Sequence, residues 1–163
     1  MNEVEKERQR VESEERELVF DSFTNDDALA LGLAIVDKAR ERRLPIAVDV
    51  ERSGQRLFHF AMEGTSPDNA AWIERKKALV RRTFHSSYAV GLKLKAQGKT
   101  LEESMELSAV EYAAHGGCFP ILVRGAGFVG TVTVSGLPQK DDHDLVVESI
   151  REFLADRQAE SSQ

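Results

Sequence analysis

The stretch Phe119-Pro-Ile-Leu-Val-Arg-Gly-Ala-Gly-Phe-Val-Gly-Thr-Val-Thr-Val134 has two readings, and the choice between them sets the fold class. Gly125, Gly127 and Gly130 fit the GxGxxG pattern of dinucleotide sites. That fingerprint works where the glycines lead from a strand into a helix whose N-terminus meets a pyrophosphate. Here the β-branched run Thr131-Val-Thr-Val134 follows, which is strand chemistry. The glycines therefore belong to a hairpin turn and a close-packed strand position, and nucleotide binding is rejected.

Moving outward, Ile46-Ala-Val-Asp-Val50 alternates as a strand, Arg52-Ser-Gly-Gln55 is turn chemistry, and Leu57-Phe-His-Phe-Ala-Met62 returns. Two hairpins, about 46–62 and 119–135, with helices between them predict an α+β fold around one antiparallel sheet. Between the hairpins, Ser66 caps a helix with Pro67 at its first position. The pattern breaks near Ser86 and Ser87, resumes from Tyr88 to Ala96, and closes at Gly98. Thr100-Leu-Glu-Glu103 is a capping box and predicts a further helix to about Ala114.

At the start, residues 1–17 are charge-dense and read as a solvated helix or a frayed arm. Leu18-Val-Phe-Asp-Ser-Phe23 opens the globular domain as a short strand. Thr24 or Asn25 caps a helix whose apolar stripe is read as Leu29, Leu33, Val36 and Ala39, ended by Pro45. A last helix runs from about 141 to 156, closing a single domain over 18–156. Residues 157–163 read as a disordered tail.

Composition narrows the functional classes. With 163 residues, 41% hydrophobic and 31% charged, the chain suits one domain with a real core. A net charge of −6 argues against a nucleic-acid partner. No apolar run approaches the roughly 20 residues of a membrane span, and the charged start lacks the apolar core of a signal peptide. A cytoplasmic location is expected, with no membrane partner. Cys118 is the single cysteine, which rules out an intrachain disulfide and a four-cysteine zinc finger.

The candidate site begins at Lys76. A helix turns roughly 100° per residue, so Trp72, Ile73, Leu79, Val80 and Phe84 share one face. Lys76 falls in the middle of that face, where an ammonium must snorkel, pair with an anion or meet a ligand. Lys76 also belongs to a basic block with Arg75, Lys77, Arg81 and Arg82, which reads most simply as a solvated helix face and otherwise as an anion-binding or subunit-contact face. His115-Gly-Gly-Cys118 resembles an oxyanion loop, but the chain has no G-x-S-x-G elbow. Gly116 and Gly117 still offer backbone amides that a ligand can approach closely. Cys118 reads as a small buried hydrophobe. The four histidines, His59, His85, His115 and His143, lack the spacing of a metal motif, and no metal ligand is assigned. His85 falls off the apolar stripe, and His143 reads as a helix-start residue beside Asp142 and Asp144.

Several segments in fixed order carry a family resemblance. They are Gly64-Thr-Ser-Pro-Asp-Asn69, Trp72-Ile-Glu-Arg-Lys76, Phe84-His-Ser-Ser87, His115-Gly-Gly-Cys-Phe-Pro-Ile121 and Gly130-Thr-Val-Thr-Val-Ser-Gly-Leu-Pro138, followed by Asp142-His143. Together they resemble the haem-degrading domain superfamily, alongside the GlcG-like and HbpS-like proteins, over residues 18–154. The resemblance implies a profilin-like fold with an antiparallel sheet flanked by helices. It also implies homo-oligomers and haem as the cofactor or substrate, and it carries no haem ligand onto a residue of this chain.

The leading expectation is a homo-oligomeric small-ligand-binding protein, taking haem or a small anionic metabolite. Its site residues are Lys76, Trp72, His115, Gly116, Gly117 and His143. A second reading is an enzyme acting on haem or a small anionic substrate through Lys76, His115 and the glycine amides. A third is a structural or protein-interaction module.

Overall fold

The computed structural model describes residues 1–162. Six helices and four strands follow one another as α1 (Glu3–Glu17), α2 (Asn25–Arg42), β1 (Ala47–Arg52), β2 (Gln55–Ala61), α3 (Pro67–Thr83), α4 (Ser87–Gln97), α5 (Leu101–Met105), β3 (Cys118–Val123), β4 (Gly127–Ser135) and α6 (Gln139–Ser161). The expected hairpins form, and β1 pairs with β4 to join them into one antiparallel sheet of order β2-β1-β4-β3. The first hairpin turns through Ser53 and Gly54, both left-handed, as a two-residue loop requires. Phe20 adds a single bridge to Val123 in place of the expected short strand.

Strand alternation gives the sheet two unlike faces. Val48, Val50, Phe119, Ile121, Val132 and Val134 point to one side and bury against α2 and α6. On the other side lie Asp49, Glu51, Cys118, Thr131, Thr133 and Ser135, buried beneath α3. The apolar face supplies the core. The polar face needs charged partners, and α3 provides them.

Lys77 is as buried as any core residue and lies 3.0 Å from both Asp49 and Glu51. Its Asp49 contact is an ion pair by distance, without hydrogen-bond alignment to Oδ1. Burial acts to lower its pKa, but Asp49 and Glu51 more than offset this and hold it charged. Arg81 closes on Glu51 through two bonds of 3.1 Å. Within the basic block Lys76 and Lys77 turn inward, because an apolar-spaced helix covers a carboxylate-bearing sheet, while Arg81 and Arg82 stay on the exposed face.

Four further expectations change. In α2 the buried stripe is Ala28, Leu31, Ile35, Val36 and Ala39, while Leu29 and Leu33 face outward. Gly32 sets that rotation, since a Cβ there would lie 2.3 Å from the Phe58 ring. The Thr100 capping box forms, but α5 ends at Met105, where Glu106 turns left-handed. Residues 1–17 form a docked helix, with Val11 fully buried against Tyr88 and Leu92 of α4. Helix α6 continues to Ser161, and Arg157 pairs with Asp27, so the expected tail is helical as far as that residue. The same expectation for Gln163 lies outside the described residues.

Candidate functional site

The loop after α5 builds the site. The Arg75 guanidinium donates to the Ala109 carbonyl at 2.9 Å, and the Ala113 amide donates to the Arg75 carbonyl at 3.1 Å. These two bonds pin residues 106–117 onto α3 and carry His115 to Trp72, whose rings meet edge to face at 5.1 Å. Arg75 also lies over the Trp72 ring at 4.0 Å, a cation–π contact. The result is a cleft lined by Asp68, Asn69, Trp72, Lys76 and His115 on one side, and by residues 135–137, Gln139 and Asp142 on the other.

Lys76 forms its inner wall. Only 3% of the residue is exposed. Its Nζ donates to the Val134 carbonyl at 3.1 Å and to Asp142 Oδ2 at 3.3 Å. Asp142 in turn accepts from the Leu137 amide at 2.9 Å and the Gly136 amide at 3.4 Å, which fixes the start of α6. Burial pushes the Asp142 carboxyl up to about 6 despite Lys76 beside it. Burial also lowers the Lys76 pKa, and Asp142 only partly offsets this. His115 is held below its ordinary value by burial, then by Lys76 and Arg75, so its imidazole is neutral at pH 7. Three titratable groups with shifted pKa values thus share one cleft, a pattern that clusters at functional sites.

The structure places Trp72, Lys76 and His115 in one cleft and separates the remaining candidates. Gly117 is the wall behind the ammonium: a Cβ there would lie 2.6 Å from Lys76 Nζ and 2.3 Å from the Val134 carbonyl oxygen. Its role is to let Lys76 in. Gly116 is not a free donor, because its amide is taken by Gln139 Oε1 at 3.0 Å. His143 does not line the cleft. It is fully buried, and its Nε2–H donates to Glu14 at 2.8 Å while Nδ1 has no partner among the described residues. Nor do His85, His115 and His143 converge: His85 is exposed and bonds Glu15.

Glu14, His143 and Asp144 bring donor atoms within 4.8 Å of one another, but Arg10 bridges Glu14 at 2.8 Å and Asp144 at 3.0 Å. A guanidinium already supplies the positive charge there. Cys118 is fully buried and its thiol is pushed up to about 12, which removes it as a nucleophile.

Asp142 and Lys77 were the functional-looking residues that sequence reasoning missed. Asp142 is 66 residues from Lys76, and no periodicity reports that pairing. Lys77 follows the singled-out lysine directly, and only the acidic residues at alternate positions of β1 hinted at its destination.

The cleft encloses about 250 Å³. Pockets that hold drug-sized ligands run to roughly 300–1,000 Å³. That size suits a small anion and is too small to enclose a porphyrin ring whole. No helix among the described residues is long and apolar enough to cross a membrane.

Comparisons with known proteins agree with this architecture. The model of the family described as haem degrading protein HbpS-like matches residues 23–151. A UPF0303 protein of Streptomyces coelicolor is 55% identical over 146 residues, covering 90% of this chain and 92% of that protein. The crystal structure of Ybr137w protein superposes with a TM-score of 0.86 at 33% identity, covering 93% of this chain and 89% of the other. The crystal structure of a PduOC:heme complex shares the fold, with a TM-score of 0.63 at 18% identity over 82% of this chain and 94% of that one. The chain belongs to the HbpS-like haem-degrading family, together with the UPF0303 proteins.

Proposed function

We propose that this chain is a cytoplasmic, homo-oligomeric small-ligand-binding protein whose Trp72–Lys76–His115 cleft takes a small carboxylate. One observation carries the reading: an ammonium that is 3% exposed forms the inner wall of an open cleft. An ammonium has three N–H donors. Val134 and Asp142 accept two, and the third remains for a ligand oxygen.

The charges decide the conditions. Asp68 and Asp142 line the same cleft and oppose an anion. Asp142 titrates near 6, so a proton on it removes that opposition and leaves Lys76 as the dominant charge. Binding a carboxylate therefore draws a proton onto Asp142.

Trp72 is the only tryptophan of the chain, so its fluorescence reports the cleft directly. Formate, acetate and succinate titrated at pH 6 should change its emission saturably. Lys76→Met should weaken that binding about tenfold or more, since a charge-assisted hydrogen bond contributes roughly 1.5–3 kcal/mol. Unchanged affinity in the variant would leave Lys76 a structural ion pair and end this reading. A second reading is proton-transfer catalysis on a small anionic substrate, favoured by the neutral His115 and the raised Asp142 in one cleft. Turnover of a bound carboxylate that is lost in His115→Ala, with binding retained, separates enzyme from binder.

A further inference from the structure

Lys76 and Lys77 are neighbours on α3 and both are almost wholly buried, yet their surroundings differ. Lys77 Nζ lies 3.0 Å from Asp49, 3.0 Å from Glu51 and 3.2 Å from Glu74, and these carboxylates hold it as an ammonium. Lys76 has a single carboxylate, Asp142 at 3.3 Å, which also accepts from two backbone amides. Burial outweighs that one counter-charge and lowers the Lys76 pKa. Lys76 also lines the cleft, and Lys77 does not. A desolvated lysine short of counter-charge is the kind that attacks a carbonyl carbon.

The geometry leaves one position of the nitrogen to a ligand. The Val134 carbonyl and Asp142 fix two of its N–H directions. The Gly117 backbone closes in so tightly that a Cβ there would stand 2.6 Å from Nζ. Two proton carriers share the cleft: Asp142, on the nitrogen itself, and His115, which is neutral at pH 7. A carboxylate with a carbonyl on its next carbon suits both the cation and the nucleophile.

We propose that the ligand of the Lys76 cleft is a 2-oxo acid, held as a Schiff base on Lys76 Nζ. The inference rests on the carboxylate reading of this cleft and names its ligand class. The step balances without a co-reactant. His115, directly or through a water, takes the ammonium proton at the third position, and the freed lone pair attacks the carbonyl carbon. The C=O π electrons pass to oxygen, which recovers the proton from His115. Asp142 takes a second proton from nitrogen and delivers it to the hydroxyl. Water leaves, and the nitrogen lone pair closes the C=N bond. Two of the three ammonium protons thus depart in water, and the last stays on the iminium nitrogen, donated to Val134. The positive charge keeps its place beside the ligand's carboxylate, an advantage that a plain ketone lacks.

The test traps the imine. The purified full chain is mixed with pyruvate at pH 7 and reduced with sodium cyanoborohydride, then weighed by mass spectrometry and mapped by peptide digestion. The expected gain is one pyruvate less one oxygen atom per chain, located on Lys76 and formed faster there than on the exposed Lys93, Lys95 and Lys99. Mapping uses the parent chain, so it does not depend on a variant that folds. Acetate should slow the labelling by about tenfold or more by occupying the cleft, and acetone, a carbonyl without a carboxylate, should label Lys76 about tenfold or more slowly. Lys76→Arg keeps the cation without the nucleophile and should lose the adduct, with its fold checked by circular dichroism. His115→Ala should slow labelling by about tenfold or more, and an unchanged rate would overturn its proton role. Adducts confined to the exposed lysines, or labelling by acetone as fast as by pyruvate, would overturn the proposal. If Lys76 stays unlabelled while acetate still changes Trp72 fluorescence, the Schiff base is lost and the carboxylate reading stands. If acetate does not bind either, both are lost.

Discussion

Lys76 and Asp142 form a buried pair in which burial outweighs mutual attraction, and both groups shift toward neutrality. Two consequences are measurable. The first is pH dependence. Above about 6 Asp142 is ionised and cancels Lys76; below it the ammonium stands alone. Acetate affinity should rise as pH falls from 8 to 5, by up to tenfold per unit where one proton accompanies each anion. His115, held below its ordinary value, would add in the same direction at the lower end. In Asp142→Asn the dependence should flatten, as read by Trp72 fluorescence. The second concerns stability. Lys76→Met alone leaves Asp142 buried without its cation, and breaking a buried pair costs about 3–5 kcal/mol. Protonation of Asp142 and its two amide donors soften that cost. The double variant Lys76→Met, Asp142→Asn should be more stable than Lys76→Met at pH 8, with the gap closing at pH 5. That sign follows from a folded pKa raised above the ordinary 3.8, which makes the ionised carboxyl the destabilised form. Equal urea midpoints at pH 8 would show that Asp142 is not destabilised by losing its cation.

At the scale of elements, α1 shows how a charged helix can be structural. Only Val11 among its apolar residues is fully buried, and its attachment rests on carboxylates. Glu7 accepts from the Tyr88 hydroxyl at 2.7 Å, Glu14 from His143, Glu15 from Ser86 and His85, and Glu17 from Arg151. Residues 1–17 offered charge without a partner in sequence, so a docked helix was not legible there. The hairpins were, because alternation and turn residues are local signals, and they placed β1 to β4 nearly to the residue. The α2 stripe was misread because Leu29 and Leu33 are more hydrophobic than Ala28 and Gly32, yet packing chose the small face so that Phe58 could approach. Within the site, Lys76 was legible from its place on an apolar face, whereas its partner Asp142 lies 66 residues away and depends on chain segments far apart. The α1 attachment predicts an acid response. The Glu7 carboxyl is held at about 2, chiefly by its hydrogen bonds from Arg10 and then Tyr88, against an ordinary 4.5. Its folded value is depressed, so its contribution is complete above 4.5 and fades as pH falls toward 2. Amide hydrogen exchange should show α1 losing protection before the sheet in that window. A Glu7→Gln chain should begin the same loss near neutral pH. Since Glu7 is partly buried at the surface where α1 meets α4, the effect belongs to α1 docking and not to global unfolding.

At the scale of the whole molecule, the charge of −6 and the exposed apolar residues pull in opposite directions. Leu29 and Leu33 are each 47% exposed on the outer face of α2. Arg40, on the same helical face, lies 6.0 Å over the ring of Phe60, which is 41% exposed on β2. Strand β2 is an edge strand, hydrogen-bonded only to β1. Exposed apolar side chains near an unpaired strand edge are what a protein ordinarily covers. A second copy of the chain is the occupant that the expected homo-oligomer supplies, and a two-fold contact would pair each patch with itself. Light scattering at low micromolar concentration should therefore give a mass above that of one chain. The double substitution Leu29→Glu, Leu33→Glu should reduce it to the monomer mass, because four added carboxylates would face one another across a two-fold contact. Both positions point away from the core, so circular dichroism and the urea midpoint should stay close to the parent's. Salt gives an independent check. A contact built on Leu29, Leu33 and Phe60 between two acidic chains should tighten, or at least hold, as salt rises from 0.05 to about 0.5 M, because screening weakens the repulsion and not the apolar contact. An oligomer that dissociates in salt would instead rest on ion pairs, and would move the interface to the charged faces of α1 and α6.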